Sequence, residues 1–143
     1  SIIVKPSIMA IVMTLTAPLV YAQPPGDTRV AAAFPPAIKL ALYARMRDNL
    51  AALQAIQQAL AQNDFANAAE VAETRLGISS LGPHNARQQP FMPEPMQHLG
   101  MSMHRAATDF AVVAQERDMS KALAALAKTT ALCVACHASY RAK

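Results

Sequence analysis

Lys121 to Ala142 reads KALAALAKTTALCVACHASYRA, and in it Leu123, Leu126, Thr130, Cys133, His137 and Tyr140 recur at steps of three and four residues. That period predicts an amphipathic helix with one inward stripe, begun by Asp118 or Ser120. Both cysteines of the chain lie on it, inside the pentad Cys133-Val134-Ala135-Cys136-His137. On a helix Cys133 and His137, four residues apart, share the inward face, and Cys136 falls about 60° to its flank.

A C-x-x-C-H pentad can add its two thiols across the two vinyl groups of one haem, and the histidine that follows can reach the iron as proximal ligand. One covalently attached haem c per chain is therefore expected, with Cys133 and Cys136 as attachment points and His137 on the iron. Two other chemistries use similar residues. A redox dithiol expects a strand before the motif and a helix starting at it, whereas here the motif closes a long helical run. A zinc site needs a fourth ligand, and no second Cys or His pair lies at ligand spacing.

Three more helical stretches precede this one. The first runs from about Ala37 to Gln62, with Met46, Leu50, Leu53, Ile56 and Leu60 as its apolar stripe. Asn63-Asp64 breaks it and caps a second, about Phe65 to Leu76, which stops at Gly77. Ile78 to Pro95, with Pro83, Pro90, Pro93 and Pro95, is expected as a long crossover connection. The third helix, about Met96 to Arg117, shows Leu99, Met103, Ala106, Phe110 and Val113 on one face. No stretch alternates with period two, so the chain is expected to be all-α, an antiparallel four-helix bundle with the haem on its last helix.

The other end of the sequence bears on compartment. Residues 1–22 hold Lys5, an apolar run from Ile8 to Val20 and the small-residue boundary Val20-Tyr21-Ala22, the pattern of a secretory signal peptide. Pro18 interrupts the run, which is shorter than the roughly 20 apolar residues that span a bilayer, so no membrane anchor is expected after cleavage. Covalent haem attachment takes place outside the bacterial cytoplasm, and a periplasmic location follows. Residues 23–36, rich in proline and small side chains, are expected to be a mobile N-terminal segment ahead of the 37–143 domain. Without the first 22 residues, 12 Lys and Arg stand against 9 Asp and Glu, which two haem propionates bring close to neutral. No basic stretch is interleaved with aromatics, so nucleic acid is not an expected partner. A modest surface asymmetry suits an acidic redox protein.

The run Cys133-Val134-Ala135-Cys136-His137-Ala138-Ser139-Tyr140-Arg141 resembles the C-x-x-C-H-x-x-Y-R ending of the cytochrome c prime family, whose haem sits on the last helix of an antiparallel bundle. Helix order and length are similar from about Phe34 onward, and ordinary small cytochromes c carry the pentad near the N-terminus instead. The resemblance implies Cys133 and Cys136 as thioether positions, His137 as proximal ligand and Arg141 as a proximal-side residue near the haem; Arg141 equally reads as a solvated last-turn cation. Tyr140 reads as packing. A homodimer through the first two helices is possible in this architecture.

The opposite face of the haem divides the functional readings. Family members leave the sixth position open under a small apolar side chain of the first helix and are associated with nitric oxide or carbon monoxide binding, while low-spin relatives place a methionine there. Met46 lies at about that place, on the first helix, flanked by Arg45 and Arg47 that could neutralise propionates; the spacing Tyr43-Ala44-Arg45 departs from the family's Tyr-Arg pair. A methionine ligand suits electron transfer and hinders gas binding. Met92, Met96, Met101, Met103 and His104 are the other candidates, and plain core filling is the alternative for Met46. His84 is expected on an exposed loop and His98 facing solvent. A monohaem electron carrier is thus expected, with a five-coordinate gas binder as the alternative. Enzymatic turnover is not expected, because no positioned acid or base is marked.

Overall fold

The structure, a computed structural model, describes residues 26–143; the leader expected over residues 1–22 lies outside them. The described chain is mostly helical, with little sheet, as an all-α chain should be. It runs through a strand β1 (Val30–Ala32), helix α1 (Pro36–Ala61), helix α2 (Phe65–Val71) continued by a π-helical turn (Ala72–Leu76), a short α3 (Pro83–Gln88), α4 (Glu94–Ala114), α5 (Met119–Ser139) and a strand β2 (Tyr140–Ala142).

Local chemistry places the helix ends. Pro36, Pro83 and Pro95 each sit in a first helical turn, where the missing N–H costs nothing. Asp64 and Asp118 cap α2 and α5 by accepting from the N–H groups of Asn67 and Lys121, each at 3.0 Å. Asn63 and Arg117 take φ of 56° where α1 and α4 give way to α2 and α5. At Gly77 the constraint is space: a Cβ there would collide with the Glu73 carboxylate and stand 2.7 Å from the Thr108 hydroxyl.

Those prolines correct the crossover. The 78–95 stretch is a 3₁₀ turn (Ile78–Ser80), α3 and a second 3₁₀ turn (Gln89–Phe91), because its prolines start helical turns as readily as they end them. The N-terminal segment differs too: β1 pairs in parallel with β2, Val30 opposite Tyr140 and Ala32 opposite Ala142. The pairing extends the chain at the expense of the last helix, which stops at Ser139 rather than continuing to Ala142. His84, expected in an exposed loop, lies half-buried on α3 with its Nε2 enclosed and without a hydrogen-bond partner.

Two apolar clusters organise the interior. The larger joins Ala52, Ile56 and Leu60 of α1 with Phe65 and Ala68 of α2, Leu76, Phe110 of α4 and Leu126 of α5. The smaller gathers Ala32, Phe34, Leu42 and Met96, with Met46, Cys136 and Tyr140 packed against it. Leu50, expected on the α1 stripe, is 69% exposed; the inward line passes instead through Leu42, Met46, Asn49, Leu53, Ile56 and Leu60, and Leu50 stands about 100° beyond Asn49. On α5 the small residues Ala122 and Thr129 face inward with Leu126, while Leu123 is 51% exposed. This rotation turns Cys136 inward and His137 outward, the reverse of the expected order; Cys133 and Cys136 are both half-buried and His137 is exposed.

Candidate functional site

A cavity of about 670 Å³ opens where the two clusters meet, lined by members of both. Its volume lies in the range of cofactor sites. From α5 it receives Cys133 and Cys136, with the exposed His137 at its rim. From α1 it receives Leu42, Arg45, Met46 and Asn49. Met92, Met96, Met101, Met103 and His104 line it as well. Every side chain considered as a sixth ligand therefore borders the same cavity as the pentad.

The two thiols are not paired with each other. Burial pushes both thiols up from their ordinary value, against a weaker backbone hydrogen bond at Cys133 and with the charge of Cys133 adding to the rise at Cys136. Both lie in the last two turns of α5, where the helix dipole disfavours a thiolate. A redox dithiol is favoured by a lowered pKa at a helix N-terminus or beside a cation; burial and the end of α5 act here in the opposite sense. Among the described residues no three His, Cys, Asp or Glu side chains converge as a metal cluster, which leaves a zinc site without its ligand set.

Cations border the cavity at several points. Arg45 lines it and is anchored through Nη2 to the Ser80 carbonyl at 3.3 Å and hydroxyl at 3.4 Å; burial makes its guanidinium less favourable, partly offset by Asp48. Arg47, its expected partner in neutralising propionates, is exposed and not part of the lining: two steps along a helix turn a side chain by about 200°. Arg141 lines the cavity from β2, with its Nε buried and lacking a hydrogen-bond partner. Asn49 Oδ1 is the second lining atom in that condition. Buried polar atoms without partners are uncommon; Arg141 Nε has the Asp27 carboxylate at 3.6 Å, which leaves Asn49 Oδ1 as the unpartnered polar atom on the cavity wall. Apolar walls, two free thiols, a histidine at the edge and arginines around it fit the donor set that a covalently held haem requires.

His104 is settled more firmly than its position in the sequence allowed. It is 7% exposed, and its Nδ1 lies 2.6 Å from the Leu76 carbonyl. A carbonyl only accepts, so Nδ1 carries the proton and donates, and Nε2 keeps a lone pair in the neutral ring. Burial lowers its pKa, the Leu76 bond acting in the opposite sense and Arg45 adding to the lowering. His98 is exposed, as expected.

Arg29, Asn49 and Gln88 belong to the lining and were not singled out from sequence. Asn49 had a local signal, a polar residue three positions beyond Met46 on an apolar stripe. Arg29 had none, since it reaches the site through a strand pairing with the far end of the chain. No protein-family model, curated protein or solved structure matches this chain.

Proposed function

We propose that the chain is a periplasmic monohaem c-type cytochrome, a relative of the cytochrome c prime family, that carries electrons between redox partner proteins. In this reading α1, α2 with its π turn, α4 and α5 are the four helices of an antiparallel bundle. The observation that carries the proposal is that Cys133, Cys136 and, at the rim, His137 all border one apolar-walled cavity, which Met46 borders from another helix.

When bound, haem supplies a one-electron ferric/ferrous couple. Cys133 and Cys136 would hold it as thioethers. His137 and Met46 are the side chains that would hold the iron. Leu42, Met96 and Met103 would exclude water from it. Arg45 and Arg141 offer positive charge to the propionates. No residue is assigned a catalytic proton transfer, and the protein is not proposed to be an enzyme.

Met46 is tested by replacing it with leucine, which roughly conserves volume and should cost under about 1.5 kcal/mol in packing. The wild type should show the near-infrared methionine-to-ferric-iron band and bind carbon monoxide slowly or not at all; Met46→Leu should lose the band, turn high spin and bind carbon monoxide readily. A wild type without the band that binds carbon monoxide fast is instead the five-coordinate gas binder.

A further inference from the structure

The last turn of α5 leaves carbonyls that the helix does not satisfy. Tyr140 N–H closes onto the Cys136 carbonyl. The next carbonyl, that of His137, accepts from Arg29 Nη1 at 3.2 Å, a contact between residues 108 positions apart. The residue that receives this bond is the one whose ring is read as the iron ligand.

Arg29 is itself held in place. Asp27 Oδ1 accepts from the Arg29 backbone N–H at 3.1 Å and from Nε at 2.9 Å, and Oδ2 accepts from Nη2 at 2.7 Å. One edge of the planar guanidinium thus grips the carboxylate, and Nη1 is left for the His137 carbonyl. Asp27 Oδ2 also stands 3.6 Å from Arg141 Nε on β2, so one carboxylate lies between an arginine before β1 and an arginine within β2. The hydrogen bond from the Arg29 side chain, followed by that from its backbone, holds the Asp27 carboxyl down at about 2. The pairing of β1 with β2, closed by Lys143 N–H on the Ala32 carbonyl at 2.8 Å, fixes the register in which these groups meet.

Resting on the haem reading, we propose that Arg29 is a positioning residue for His137: its bond to the His137 carbonyl, set by Asp27, holds the last turn of α5 and so fixes the plane of the imidazole at the iron. The bond orients the peptide that follows His137 and so the Cα–Cβ bond from which the ring hangs, and the rotamers open to the ring depend on that backbone. Without the clasp the final turn of a helix frays.

Two variants separate positioning from mere charge. Arg29→Ala removes the cation and the fork; Arg29→Lys keeps the cation but cannot grip Asp27 and the carbonyl with one planar group. Haem content is read first, from the pyridine haemochrome of the wild type. In the ferric holoprotein, the spread of the paramagnetically shifted haem-methyl proton resonances follows the plane of the axial imidazole, and it should change in both variants. Exchange of the Tyr140 to Ala142 amides should accelerate about fivefold or more in both. Wild-type methyl shifts and exchange in Arg29→Ala overturn the proposal, and full restoration by Arg29→Lys overturns it in favour of charge alone. A wild type that carries no haem overturns the functional reading and with it the ligand-positioning role, whereas the outcomes above overturn positioning with the haem reading intact.

Discussion

Replacing His104 with leucine tests the wall of the cavity and the choice of sixth ligand together. The ring is 7% exposed and donates to the Leu76 carbonyl at 2.6 Å; Leu76 itself is 1% exposed. Leucine fills much of the volume but leaves that carbonyl without this donor, a loss of about 1–3 kcal/mol. A leucine is cheaper to bury than an imidazole, which offsets part of it. A net loss of about 1–2 kcal/mol lowers the melting temperature by about 4–8 °C for a domain of this size.

The pH dependence has a definite sign. Burial lowers the folded-state pKa of His104 below 6.5, so as pH falls the unfolded chain takes up the proton first. Stability is full above about pH 6.5 and is lost as pH falls through the folded value. His84 is lowered as well, by burial and then by the nearby Arg45, so His104→Leu should be flatter between pH 8 and 5 without being flat. Thermal melts by circular dichroism at several pH values measure both effects, and visible spectra measure ligation. With Met46 on the iron, the variant should keep the wild-type spectrum. Equal stability with an unchanged pH slope refutes the role given to the Leu76 bond, and a low-spin spectrum that disappears makes His104 the sixth ligand.

Other outcomes follow from the core and from the Glu73 carboxylate. Phe110→Ala, at a side chain 1% exposed in the larger cluster, should cost about 3–5 kcal/mol; a chemical-denaturation loss below about 1 kcal/mol would show the cluster collapses around the gap. Glu73 accepts from Ser79 N–H at 3.0 Å, from the Ser79 hydroxyl and from Thr108 Oγ1 at 2.6 Å. Its burial raises the pKa, but those bonds together outweigh it and leave the folded value below 4.5. Its contribution is therefore present above the unfolded value and lost as pH falls through the folded one: Glu73→Gln should destabilise at pH 7 and converge on wild type in acid, and a gap independent of pH speaks against the carboxylate.

Sequence carried some of this fold and not the rest, for physical reasons. Helices α1, α2, α4 and α5 were legible within a few residues because propensity, caps and period act locally. Which face each helix turns inward was less so: leucines dominate a periodic reading, yet tight packing selects alanine and threonine, as at Ala122 and Thr129, and leaves Leu50 and Leu123 outside. The pairing of β1 with β2 joins the first and last described segments, and no local signal announces it. Of the residues that border the cavity, Cys133, Cys136 and His137 stood out in the sequence because they form one pentad of fixed spacing. Arg29 did not, because it meets the His137 carbonyl only once the chain is folded. The prolines of 78–95 misled because the same residue both ends and begins helices.

The most direct measurement of the central claim is the intact mass of the chain, purified after export from a host with haem-attachment machinery and denatured before analysis. One haem retained per chain is expected, falling to a single, altered linkage in Cys133→Ala or Cys136→Ala by pyridine haemochrome absorption. A wild-type chain at the bare polypeptide mass, or one that releases its haem intact into acid-acetone, would contradict a c-type cytochrome.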